Sequence, residues 1–99
     1  QAMDKERIKQ EFINEAEKLI DSRHQVIECA AGTARLEAMH NHLEAFDEFV
    51  ALINHKLNDI LEIHDVTFES EKHQEAFTAY ITPAFTELFK KYYQLSSPK

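Results

Sequence analysis

Ninety-nine residues, 43% hydrophobic and 29% charged, with one glycine and two prolines, describe a single domain whose core lies near the lower limit of self-sufficiency. The composition excludes a disordered chain and the Gly- and Pro-punctuated pattern of an all-β one. The net charge is −7, and the ten acids between Glu37 and Glu75 are answered there only by Lys56 and Lys72, which excludes a groove-reading nucleic-acid binder and argues against an anionic membrane surface.

From Asp4 to about Ala31, apolar residues at Ile8, Phe12, Ile13, Ala16, Leu19, Ile20, Val26, Ile27 and Ala30 make a broad stripe at the 3.6-residue period and predict the first helix. Asp4 has the chemistry of an N-cap, and Gly32, the only glycine, is expected at the first joint as a left-handed C-terminal cap or turn. Gln1 and Ala2 precede Met3, a natural start, and read as a cloning remnant. Cys29, with no second cysteine to pair with, suits a reducing compartment and, beside Ala30 and Ala31, a small buried or half-buried position.

Beyond Thr33, an expected N-cap, the residues Leu36, Met39, Leu43, Phe46, Val50, Ile53, Leu57, Ile60 and His64 repeat in alternating steps of three and four, the a and d positions of consecutive heptads. The b and f positions opposite are almost wholly polar and acid-rich. Phe49, Leu52, Leu61 and Ile63 widen the apolar face, so a central helix over 33–64 is expected, roughly 48 Å long at 1.5 Å per residue. Asp65 to Ser70 forms the second joint, with Thr67 and Ser70 as N-cap candidates. The last helix carries Ala76, Phe77, Tyr80, Ile81, Ala84, Phe85, Leu88, Phe89, Tyr92 and Leu95 inward, with a kink or break expected at Pro83 and a frayed tail over 96–99. The architecture expected is all-α: a single bundle of three antiparallel helices, with a fourth if Pro83 splits the last. The part from Ala76 onward is net positive and is expected to lie against the acidic middle.

Six histidines raise metal chemistry. Asp21-x-x-His24 and Glu37-x-x-His40 have the acid-x-x-His step of carboxylate-bridged metal bundles, and His42 lies close by. The heptad register sets Glu37 at b, facing water, so the expectation is solvated rim residues and no cofactor. Asp21, His24, Glu37, His40 and His42 are the residues a metal would use if the helices brought them together. His64 sits on the core seam beside Asp65 at the end of the second helix, where it is either a pH-sensitive contact or a cap for the last carbonyls.

One glycine, no Gly-rich loop and no strand–turn–helix elbow argue against an enzyme. Every apolar run is interrupted by charge, so neither a signal peptide nor a membrane span is expected and the chain reads as cytoplasmic. A long, wide apolar helix in so small a chain predicts a non-enzymatic interaction or regulatory protein that self-associates as a two-fold dimer, through the second helix or the aromatic C-terminal one. Phe49, Leu52, Ile63, Phe89, Tyr92 and Tyr93 are the interface candidates; Tyr92 and Tyr93 differ by about 100° around the helix, so both cannot face one neighbour. The alternatives are a metal-binding helical protein and an acidic decoy, inhibitor or chaperone for a basic partner.

Overall fold

A computed structural model describes residues 4–94, which form four α-helices and no strand: α1 (Lys5–Glu28), α2 (Gly32–Glu44), α3 (Phe46–Ile63) and α4 (Glu71–Tyr93). The expectations for Gln1, Ala2, Met3, Leu95 and the tail over 96–99 lie outside the described residues.

The first helix is central, rather than the second. Ile8, Phe12, Ala16, Ile20 and Ile27 repeat in steps of four and seven, all are buried, and α1 packs against each of the other three helices. Asp4 caps α1 by accepting from the Arg7 amide at 3.2 Å. The α4 chain runs beside α1 in the same direction, since Tyr80 meets Glu6 and Lys91 meets Glu17. The intervening α2–α3 arm runs the other way, since His42 meets His24 and His64 meets Glu11. The bundle measures 53 × 20 × 19 Å, a cross-section set by helices packed side by side.

Four helices arise because the second predicted helix is interrupted at Ala45, and α4 passes through Pro83 unbroken. Backbone bonding continues across Ala45, whose amide reaches Asn41 O at 3.0 Å and whose carbonyl accepts from Phe49 N at 2.9 Å. The interruption is thus a local bend at a residue with φ −86° and ψ 7°. Pro83 lies on the exposed face, while Ile81 and Ala84 beside it are buried, so its missing N–H withdraws a bond only on the solvent side.

The heptad reading holds for Ile53, Leu57 and Ile60, which are buried, and fails toward the start of the arm, where Leu36 and Leu43 are exposed and His42 and Phe49 are buried instead. An α-helix that does not supercoil drifts about 20° per heptad from a 3.5-residue seam, and over this arm the drift turns Leu36 and Leu43 away from α1.

Both joints use left-handed backbone. Gly32 has φ +57°, as its composition-breaking position predicts, while α2 is entered from Ala31 and not from Thr33 as expected. At the second joint Asp65 takes φ +54°; its amide bonds Glu62 O at 3.0 Å and the Val66 amide bonds Leu61 O at 2.9 Å, the paired bonds of a Schellman cap with Asp in the place of glycine. Ser70 caps α4 by accepting from the His73 amide at 3.2 Å. Cys29, expected to be at least half-buried, is exposed, because it is the C-cap of α1 and its helix ends there.

Candidate functional site

The polar centre of the molecule is the carbonyl of Tyr92, in the last turn of α4. A helix leaves its last four carbonyls without intrahelical partners, and this one is supplied from two other helices. His42 Nε2 of α2 donates to it at 2.8 Å and His24 Nε2 of α1 donates at 3.1 Å. A carbonyl only accepts, so both rings carry their proton on Nε2. The His42 ring stacks on the Tyr92 ring at 3.8 Å between centroids, and the Tyr92 hydroxyl donates back to the His42 carbonyl. The two residues thus clasp one another, side chain to main chain in both directions, and tie α2 to α4.

His42 is 4% exposed, the buried polar residue of the core, and its Nδ1 has no hydrogen-bond partner. Burial pushes its imidazole below the ordinary histidine range; the bond to the Tyr92 carbonyl opposes this, and the neighbouring His24 and Arg23 add to it. Burial also raises the Tyr92 phenol, with Arg23 pulling the other way. The rings of Phe49 and Phe46 pack on Tyr92 with centroids at 4.5 and 5.4 Å, so all four helices meet at this residue.

A second feature lies on the surface beside the first. Leu36 and Leu43, seven residues apart and therefore on one face of α2, are 67% and 44% exposed. Phe46, three residues beyond Leu43, carries the line to α4, where its ring meets Phe89 at 5.3 Å and Tyr93 at 4.9 Å; Tyr93 is 50% exposed. Phe89 and Tyr93, with Thr86, Lys90 and Gln94, line a shallow groove of about 500 Å³. The result is an apolar ridge from α2 across the start of α3 onto the end of α4. Asp47 and Glu48 lie in the first turn of α3, and Lys90, in the last turn of α4, pairs with Glu87 at 3.5 Å.

The interface residues expected from the sequence divide accordingly. Phe89 and Tyr93 belong to the ridge, whereas Phe49 and Tyr92 are wholly buried inside the chain and present no surface. Leu52 is half-buried, and Ile63 is exposed by itself at the end of α3. The heptad frame sets Leu36 and Leu43 on the internal seam; only the helical drift described above puts them outside.

Of the residues considered for metal, the structure brings together His24 and His42 alone, whose ring centroids are 5.2 Å apart, and commits both Nε2 atoms to one carbonyl. Asp21 faces Lys91 at 3.8 Å, His40 pairs with Glu44 at 3.8 Å, and Glu37 is exposed. Among the described residues no group of three or more His, Cys, Asp or Glu side chains is arranged to hold a metal ion. His64 Nε2 donates to Glu11 Oε2 at 2.6 Å, joining α3 to α1, and this contact is an ion pair only when His64 carries its second proton. The sequence allows His64 a contact or a place at the helix end; it is the C-cap residue of α3, and its ring makes a contact with an acid on α1 rather than with the adjacent Asp65.

The remaining charge is local. Lys91 pairs with Glu17 at 3.0 Å, so the basic end of the chain lies on α1 acids and not on the acidic middle as expected. Tyr80 donates to Glu6, which together with burial pushes its phenol up to about 12, and Lys5 Nζ lies 4.7 Å from the Tyr80 ring centroid. Among the described residues no helix is long and apolar enough to cross a membrane. Comparison with family models, with curated proteins and with solved structures gives no match.

Proposed function

We propose that this chain is a non-enzymatic helical interaction protein that pairs with a second copy of itself through the ridge Leu36–Leu43–Phe46–Phe89–Tyr93. The observation that carries the reading is the exposure of Leu36, Leu43 and Tyr93 in one line joined by Phe46, since large apolar side chains grouped on a surface mark an interaction site where single ones do not. A second copy is the occupant proposed, since a two-fold axis through the ridge buries the same apolar side chains from both chains at once. The chain as a whole carries net −7, so pairing with a copy must bury enough apolar surface to offset that repulsion.

The test is absolute molar mass for wild type and for Leu43→Glu, Tyr93→Glu and Ile63→Glu. The first two variants are expected to be folded monomers, because both side chains are already substantially exposed. Ile63→Glu, away from the ridge, is expected to stay dimeric. A wild type that is monomeric throughout, or ridge variants that remain dimers, would overturn the reading.

A further inference from the structure

The clasp at Tyr92 lies directly beneath the ridge, and the ridge is composite: Leu36 and Leu43 come from α2, Phe46 from α3, Phe89 and Tyr93 from α4. What holds α2 against the end of α4 therefore decides whether the ridge exists. The contact between those two helices is built on one buried, titratable ring. We propose that His42 is a proton-sensitive latch: neutral, it holds α2 on the last turn of α4 and keeps the ridge in one piece; protonated, it releases α2 and dismantles the ridge, so that self-association is lost in mild acid. The second half of this proposal rests on the self-association reading, and the first half does not.

Hydrogen-bond capacity and charge both point this way. With Nε2–H committed to the Tyr92 carbonyl, neutral His42 buries only a lone pair at Nδ1, which is tolerable without a partner. A second proton turns that atom into a buried N–H with nothing to donate to, in a ring that is 4% exposed. The charged groups facing His42 do not compensate. From α1 they are Arg23 and His24, both of which oppose a positive ring. From α4 His42 meets the ring and carbonyl of Tyr92, on which Tyr93 and the exposed Glu48 of α3 act in turn. On α2 itself, His40 and Glu44 pair with each other in solvent. The least costly response is for α2 to swing away and put the ring in water, with Gly32 at one end and the bend at Ala45 at the other as the places where the backbone can turn. The α1–α3 contact is built differently: His64 is only partly buried and donates to the Glu11 carboxylate at 2.6 Å.

Amide hydrogen exchange on the wild-type chain at pH 7.5 and pH 5.5, corrected for intrinsic rates, reads the latch directly. Protection of α2 is expected to fall on the order of tenfold between the two, the size an unsatisfied buried donor imposes on an opening equilibrium, while α3 keeps its protection. His42→Gln retains a donor for the Tyr92 carbonyl and cannot titrate, so its α2 protection is expected to be the same at both pH values. Equal wild-type protection of α2 at both pH values, or the same acid loss in H42Q, would overturn the latch. Should H42Q fold poorly, an NMR titration of the wild type replaces it: the His42 ring and the α2 amides are expected to share one midpoint, and separate midpoints reject the proposal. Molar mass at pH 7.5 tests the self-association reading by itself, and a dimer that persists at pH 5.5 while α2 exchanges freely would reject the coupling between the two.

Discussion

At the scale of single residues, stability and site geometry turn on a few positions where one residue satisfies a backbone demand. Gly32 has φ +57°, and a Cβ added there would meet nothing within 4 Å, so the cost of replacing it is conformational alone. Gly32→Ala is expected to lower stability by about 1–2 kcal/mol in urea unfolding. Tyr92→Phe removes the hydroxyl that donates to the His42 carbonyl and leaves the ring stack intact; a loss of about 1 kcal/mol is expected. The pH dependence follows from His42. Its folded-state pKa is lowered relative to an unfolded value of about 6.5, so the unfolded chain takes up a proton before the native one does. Its contribution to stability is therefore complete above about pH 7 and is lost as the pH falls past the ordinary histidine value toward the lowered one. Chemical denaturation between pH 8 and pH 5 should show that decline, and His42→Gln should flatten it.

At the scale of elements, Pro83 and the caps make opposite contributions. Pro83 occupies an exposed interior position of α4, where alanine would restore a backbone bond, so Pro83→Ala is expected to raise stability by about 1–3 kcal/mol, the upper end reduced because proline also restricts the unfolded chain. Ser70→Ala removes the α4 cap and is expected to cost about 1 kcal/mol. These elements also show what a reading of the sequence can reach. The stripe of α1, Asp4, Gly32, Ser70 and the apolar face of α4 are all legible, because periodicity and cap chemistry are local. The bend at Ala45 is not, since alanine is the best helix former and no cap residue marks the place. Nor is the passage of α4 through Pro83, which depends on that residue's lying on the solvent side. His42 reads as a rim residue because the heptad frame puts the core at Leu43; one residue of rotation in a straight helix exchanges them. That exchange moves a histidine inward and a leucine outward, and both parts of the candidate site depend on it.

At the scale of the whole molecule, the other three helices pack around α1, and the charge is arranged in local pairs across α1 and α4. Phe49→Glu, at a position the sequence offers as a probe of association, would instead place a carboxylate beside Tyr92 in the core; near-complete loss of folding by circular dichroism is expected, with no bearing on the oligomer. The ridge remains the one grouped apolar feature that the described chain leaves uncovered by its own helices. The most direct test of its role is absolute molar mass by light scattering on a sizing column at pH 7.5, across a wide concentration range, for wild type beside Leu43→Glu. A ridge that pairs two copies predicts a wild-type particle of twice the 11.6 kDa chain mass and a variant at the chain mass with unchanged helicity. A wild type that elutes at the chain mass at every concentration would contradict it.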